Sequence, residues 1–191
     1  KSKFKVFVNI NNKKKLFLTS YNFENNIKNL LAAVTVISIF QDIKTLNKNI
    51  FYNFENPSGR GDISKIKINN KNIFLIDESY NSNPLSLSSA INNFDLIDNK
   101  NNKKHMILGD MLELGKHSKK LHLGMSNIIN SSSIDSVNIF GKYMKETYKN
   151  ICNEKKGLVL KETSEIIDLI KNNINNNDYL MIKGSNSTRL Y

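Results

Sequence analysis

The spacing of apolar residues over the first 57 positions predicts a β-hairpin followed by one long helix. Apolar residues alternate with polar ones on both sides of a polar turn at 11–15, a pattern typical of two half-buried strands. The alternating residues are Phe4, Val6, Val8, Ile10, Leu16 and Leu18. From about Ile27 to Phe40, apolar residues occupy nearly every side of a helix, which predicts that this helix is buried.

A cluster of turn-forming residues, Asn56-Pro57-Ser58-Gly59, marks the predicted boundary between domains at 1–57 and 58–191. Beyond it, short apolar runs alternate with segments of helical spacing. Strands are predicted at 73–76, 106–108, 137–140, 158–160 and 179–182, and helices at 84–97, 121–129, 142–150 and 166–174. Asn83 is expected to cap the first of these helices. This alternation predicts an α/β fold, a mainly parallel Rossmann-like sheet flanked by helices.

The net charge of +11 is the main hint of a polyanionic partner, but the composition explains it differently. The chain has 32 Asn, 26 Lys and 24 Ile residues, whose codons are all rich in A and T. The only arginines are Arg60 and Arg189, whereas phosphate and base readers favour the arginine fork. We therefore expect a solvated lysine surface and no nucleic-acid partner.

The sequence also indicates in which cellular compartment the protein works and whether the chain is part of a longer protein. The longest apolar run, Leu30 to Phe40, is shorter than the ~17 to 25 residues of a membrane span, so no membrane partner is expected. A single cysteine, Cys152, leaves no internal disulfide and suits a reducing cytoplasm. The sequence does not begin with Met, so the chain is expected to be a piece of a longer protein.

Polar residues gather where the predicted strands end, which is where ligands bind in parallel sheets. The segment Asp77-Glu78-Ser79-Tyr80-Asn81-Ser82-Asn83-Pro84 suits hydrogen bonding to a ribose or another polyol, and equally well suits a polar turn that caps a helix. The segment 109–116 is not a phosphate loop, because five residues separate its glycines and His117 replaces Ser or Thr. His105 is expected at the surface, and His122 is expected to pack or to cap.

Five segments resemble motifs of the Mur ligases, and among them the ligases that join D-Ala-D-Ala to UDP-N-acetylmuramoyl-tripeptide. Residues 77–84 are similar to D-D-S-Y-N-A-N-P, and residues 108–115 (LGDMLELG) match a loop of these ligases at every position. Residues 25–33 resemble H-N-x-x-N-x-L-A-A, residues 59–61 resemble the G-R-G hinge, and Lys183-Gly184-Ser185 with Arg189 resembles the K-G-S-R-G-M-R ending.

The resemblance implies an ATP-dependent amide ligase of peptidoglycan synthesis that works through an acyl phosphate, with ATP and Mg²⁺ as cofactors. It implies that Asn29 contacts adenine and that Arg60 reaches the ATP phosphates as the candidate catalytic residue. Asp77, Glu78 and Tyr80 would hold the ribose side of the nucleotide. Lys183 and Ser185 would lie near the incoming dipeptide. The substrates would be small molecules, and the enzyme a cytoplasmic monomer.

At several positions the sequence departs from the family pattern, and there the family's residue roles apply less directly to this chain. Asn25 replaces His, Glu78 replaces the second Asp with a longer side chain, and 186–188 replace R-G-M. The P-loop, the metal-binding carboxylate and the UDP-binding domain would all precede Lys1. The chain would then hold the end of the central ATPase domain and the C-terminal domain, inactive alone. The alternative hypothesis is a non-enzymatic Rossmann-like module that binds a nucleotide, a peptide or, through its basic charge, nucleic acid.

Overall fold

A computed structural model describes residues 3–20, 24–54, 58–188 and 190, with the side chain of Asn25 left aside. The chain divides into two compact units, Lys1–Glu55 and Asn56–Tyr191. Each unit contains its own hydrophobic core.

The first unit contains the predicted hairpin and helix. Strands β1 (Phe4–Ile10) and β2 (Lys13–Thr19) pair antiparallel, which confirms the hairpin. Asn11 and Asn12 form the turn between them with φ of 50° and 63°. A turn with two positive φ values matches the twist of a hairpin, and Asn tolerates this conformation better than most residues.

Helix α1 (Glu24–Phe40) is buried on one face only. Leu30 and Val34 pack with Val8 and Phe17 of the hairpin in one core. Residues on other sides of the helix are open to solvent, including Ile39 and three more apolar residues, Leu31, Val36 and Phe40. The prediction of a helix buried on nearly all sides is therefore wrong for this chain, because a two-stranded hairpin covers only one face.

The second unit is built on a six-stranded sheet. Its strands are β3 (Asp62–Ile68), β4 (Lys71–Glu78), β5 (Lys104–Gly109), β6 (Ser136–Phe140), β7 (Lys156–Leu160) and β8 (Tyr179–Lys183). They lie in the order β3-β4-β8-β5-β6-β7. All strand pairs are parallel except β3 with β4, which confirms the predicted α/β fold with a mainly parallel sheet. The helices are α2 (Pro84–Asp95), α3 (Ser118–Ser131), α4 (Met144–Lys149) and α5 (Ser164–Asn173).

Both faces of this sheet are covered. Within β5, Met106 and Leu108 belong to one core and Ile107 belongs to the other. Successive strand residues point to opposite faces, so a sheet with helices on both sides reads as a continuous apolar run.

Edge strand β3 was not predicted from the sequence. Its apolar residues are Ile63, Ile66 and Ile68, a weaker pattern than the apolar runs of the central strands. The turn that joins it to β4, Asn69-Asn70, has two positive φ values like the turn of the first hairpin. This repeated Asn-Asn pair between β-prone segments was the signal that could have revealed the strand.

Three lysines cap the carboxyl ends of helices from neighbouring elements. Lys104 Nζ donates to the carbonyl of Asp95, the last residue of α2, at 2.6 Å. Lys71 Nζ donates to carbonyls at the end of α5, and Lys155 Nζ to those at the end of α3. Carbonyls at a helix end lack partners within the helix and favour a positive charge. Part of the lysine excess is therefore structural.

Candidate functional site

The polar segments that follow β4, β5 and β8 meet at one edge of the sheet, because these three strands are adjacent and parallel. In the strand register, Lys183 of β8 stands opposite Glu78 of β4 on one side and Leu108 of β5 on the other. The sheet thus brings together three of the segments that the sequence predicted to contribute to a site.

Glu78 and Lys183 form a buried ion pair across the ends of β4 and β8. Lys183 Nζ lies 3.4 Å from Glu78 Oε2 and donates to the carbonyl of Asn81 at 2.9 Å. The side chain of Lys183 is 2% exposed and that of Glu78 is 23% exposed. The amine of Lys183 is therefore bonded within the protein rather than presented at the surface.

Burial dominates the electrostatics of this pair. It raises the pKa of Glu78 above its ordinary value, although the positive charge of Lys183 acts in the opposite direction. It lowers the pKa of Lys183, although the carboxylate of Glu78 opposes that shift. Both shifts favour the neutral forms, so the pair is held in place at a cost in desolvation.

The segment 59–61 is fastened to the end of β4 by its backbone. The N–H of Gly61 donates to the carbonyl of Asp77 at 2.7 Å, and the N–H of Tyr80 donates to the carbonyl of Gly59 at 3.2 Å. Gly61 has a φ of 89°, and a Cβ there would lie 2.8 Å from Glu78 Oε1. Glycine at this position therefore makes room for the longer side chain of Glu78.

The exposed side chains of Arg60 and Tyr80 contact each other next to these backbone hydrogen bonds. The guanidinium carbon of Arg60 lies 4.3 Å from the centre of the Tyr80 ring. Asp77, half-buried beside them, accepts hydrogen bonds from the backbone N–H of Ser79 at 3.0 Å and from its hydroxyl at 2.5 Å. Of the predicted nucleotide residues in the second unit, Arg60 and Tyr80 are exposed, while Asp77 and Glu78 are partly buried.

Ser185 connects the loop after β8 to the loop after β5. Its hydroxyl accepts from the N–H of Leu112 at 2.8 Å, and its own N–H donates to the carbonyl of Asp110 at 3.1 Å. Ser185 is 6% exposed. Like Lys183, it is bonded internally. Arg189, part of the same predicted ending, lies outside the described residues.

Besides its contacts with Ser185, the loop that matches LGDMLELG is held by the segment that begins α4 and by His122 of α3. The carboxylate of Asp110 accepts from the N–H groups of Lys142 and Met144 at the start of α4. Nε2 of buried His122 accepts from the N–H of Met111 at 3.0 Å, while its Nδ1 lies 2.7 Å from the carbonyl of Ser118. Since a carbonyl only accepts, the geometry assigns the hydrogen of His122 to Nδ1. The expected packing or capping role of this histidine is confirmed.

His105 differs from the expectation. It is buried with 6% exposure, and its ring nitrogens lie 2.7 Å from Ser136 Oγ and 3.2 Å from Asp178 Oδ2. These contacts join the amino ends of β5 and β6 to the turn before β8, at the opposite edge of the sheet from the candidate site. The prediction of a surface residue missed them because Asp178 is distant in sequence.

Asn29, the predicted adenine contact, lines a cavity of about 140 Å³ within the first unit. The cavity wall contains Phe51 and Phe54 together with Thr19, Asn26, Leu30 and Ala33. An amide supplies both a donor and an acceptor, and aromatic rings supply flat apolar faces, which is the chemistry that a purine base needs. The residues fit an adenine base, and of them the sequence analysis had named only Asn29 for this role.

The described residues support binding of a metal ion less well than binding of an adenine base. In the described ranges 3–20, 24–54, 58–188 and 190, no group of three or more His, Cys, Asp or Glu side chains could hold an ion. These residues do not fit a magnesium site, so no step is assigned to the metal. In the same ranges, no helix combines the length and apolar character needed to cross a bilayer.

Comparison with known proteins covers both units. A family model described as "Mur ligase, glutamate ligase domain" matches residues 64–186. The UDP-N-acetylmuramoyl-tripeptide–D-alanyl-D-alanine ligase of Rickettsia prowazekii is 28% identical over 169 residues, covering 88% of this chain and 36% of the relative. The ligase of the same name from Buchnera aphidicola is 31% identical over 169 residues, covering 87% and 35%.

A solved structure agrees in fold. The MurF ligase of Thermotoga maritima, determined in complex with ADP, superimposes with a TM-score of 0.78 at 19% identity. The match covers 98% of this chain and 41% of that structure. The chain thus spans about a third of the length of the curated relatives and reproduces the fold of the corresponding part of a solved ligase. By its match to the family model over most of its second unit, the chain belongs to the Mur ligase family.

Proposed function

We propose that the chain is part of an ATP-dependent ligase that joins D-Ala-D-Ala to UDP-N-acetylmuramoyl-tripeptide in peptidoglycan synthesis. The observation that carries the proposal is that the curated relatives reported above bear this one activity in their names, together with the LGDMLELG and DESYNSNP segments at the ends of β5 and β4, the two strands that flank β8. We propose that residues 1–57 belong to the central ATPase domain and 58–191 to the C-terminal domain. The proposed compartment is the cytoplasm, because the reaction consumes ATP.

The proposed reaction has two steps. The terminal carboxylate of the tripeptide takes the γ-phosphoryl group of ATP, which gives an acyl phosphate and ADP. The amine of the dipeptide then attacks the acyl carbon, losing a proton as phosphate leaves. Acyl phosphates are hydrolysed by water, so the chemistry favours a site that closes around its substrates.

Nucleotide-binding roles are proposed separately for Asn29 in the first unit and for Arg60, Asp77 and Glu78 in the second. The cavity at Asn29 would hold adenine, and Arg60 would stabilise the negative charge that develops on the transferred phosphoryl group. Segment 59–61 is bonded to the end of β4, so Arg60 belongs structurally to the second unit. Asp77 and Glu78 remain the proposed residues for the ribose side of the nucleotide.

Lys183 and Ser185 are proposed to lie near the incoming dipeptide and to hold in place the loops that bind it. Their polar atoms are buried and bonded to the carbonyl of Asn81 and to the N–H of Leu112. They therefore hold the loops after β4 and β5 at a fixed distance from β8. Main-chain groups fixed in this way are suited to recognise the polar ends of a small peptide.

The test is substrate-dependent ADP release by the intact ligase. We expect ADP and phosphate only when UDP-N-acetylmuramoyl-tripeptide and D-Ala-D-Ala are both present, and turnover that continues without the dipeptide would refute the proposal. Arg60→Ala is expected to lower kcat by about a hundredfold, as for the loss of a charge stabiliser, with little change in the unfolding midpoint. The matched control is Lys67→Ala, which removes an exposed cation from neighbouring strand β3. Equal activity of both variants would remove the phosphate role of Arg60.

A further inference from the structure

We propose that Tyr80 is a positioning residue that works through the face of its ring, as a platform that orients Arg60 toward the ATP phosphates. This inference rests on the proposed function and deepens it. The resemblance places Tyr80 on the ribose side of the nucleotide, a role in which its hydroxyl would do the binding. The structure instead puts the ring against the guanidinium group.

The geometry is that of a cation stacked on an aromatic ring. The guanidinium carbon lies 4.3 Å from the ring centre, well inside the ~6 Å limit for this attraction. Tyr80 is 48% exposed, so the stack lies at the protein surface. Arginine combines this stacking with a planar fork of N–H donors, which lysine lacks.

The backbones of both partners are fixed independently of the stack. Gly59 and Tyr80 are joined by one main-chain hydrogen bond, and Gly61 and Asp77 by another, so both neighbours of Arg60 are tied to the β4 loop. The guanidinium group lies at the end of a long side chain with several rotatable bonds. Stacking restricts that freedom before a substrate binds, which lowers the entropic cost of reaching the phosphates.

The stack engages the face of the guanidinium group, whereas a phosphate accepts hydrogen bonds from the N–H groups at its edge. Contact with the Tyr80 ring therefore does not itself compete with phosphate for those donors.

The first test separates the ring from the hydroxyl in the intact ligase. Tyr80→Phe is expected to keep kcat and the KM for ATP within about twofold of wild type. Tyr80→Leu is expected to lower kcat about fivefold, the equivalent of ~1 kcal/mol for an exposed cation stack. In an Arg60→Ala background, Tyr80→Leu is expected to cause no further loss. A large loss in Tyr80→Phe, or additive losses in the double variant, would overturn the proposal in favour of a hydroxyl role.

The second test detects the stack directly by NMR in the intact ligase. Side-chain protons of Arg60 are expected to be shifted upfield in NMR spectra by the ring current, in wild type and in Tyr80→Phe but not in Tyr80→Leu. Spectra of the backbone report whether each variant is folded. Unshifted Arg60 protons in folded wild type would refute the stack whatever the enzyme does. A normal stack in an intact ligase that releases no ADP when both substrates are present would refute the proposed function instead.

Discussion

Replacing Lys183 with Met tests the buried ion pair most directly. Met keeps the apolar stem of Lys183 and removes its amine. The change leaves the carbonyl of Asn81 without a donor that now lies 2.9 Å away, and leaves Glu78 without its cation. Since Lys183 also ties the loop after β4 to β8, the effect is expected in stability as well as in catalysis.

The structure sets the size of the effect. Removing one member of a fully buried pair costs about 3 to 5 kcal/mol. Glu78 is 23% exposed, so water can compensate part of the loss, and we expect about 2 to 3 kcal/mol. For a chain of this length that corresponds to a fall in Tm of roughly 5 to 10 °C.

The pH dependence provides a second signature. Burial raises the pKa of Glu78 from its ordinary value of 4.5, so its proton contributes stability in acid that is lost as pH rises through the folded pKa. Without Lys183 this pKa rises further, so the variant loses more stability than wild type as pH increases. The difference in unfolding free energy is therefore expected to grow from pH 4.5 toward neutrality.

Urea unfolding of both proteins across this pH range is the assay. Lys120→Met, which removes an exposed lysine of α3, is the matched control and is expected to change stability by less than about 0.5 kcal/mol. The double variant Glu78→Gln/Lys183→Met is expected to recover most of the loss. If Lys183→Met behaves like Lys120→Met, or if its cost does not vary with pH, Lys183 is not held as a buried charge.

Two further predictions concern buried polar groups near the site. Ser82 stands where the resembled motif has Ala, and its buried hydroxyl has no hydrogen-bond partner among the described residues. We expect Ser82→Ala to stabilise the chain by about 1 kcal/mol in urea unfolding, and a loss of stability would show that the hydroxyl is bonded. For His122, ¹⁵N NMR is expected to show the ring hydrogen on Nδ1 and none on Nε2, and the opposite tautomer would contradict the geometry. His122→Phe is expected to cost about 2 to 3 kcal/mol, because the N–H of Met111 loses its acceptor.

The fold followed from local patterns with two exceptions. Apolar runs bounded by turn residues located the parallel strands, and Asn83 before Pro84 marked the start of α2, where its side chain accepts from the N–H of Ser86. Edge strand β3 was missed because one of its faces is solvated. The exposed face of α1 was missed because apolar spacing tells which residues could be buried but not whether anything covers them.

The sequence by itself determined the class of the fold, the strand ends where polar residues gather, and the motifs that mark a Mur ligase. These depend on residue type and on spacing along the chain, which sequence records directly. Only the tertiary structure decided what each polar residue does. It paired Glu78 with Lys183, turned Ser185 toward Leu112 and stacked Arg60 on Tyr80. Partners such as Glu78 and Lys183 lie 105 residues apart. Their contact exists only because parallel pairing sets β4 beside β8, a neighbour relation that no local pattern contains.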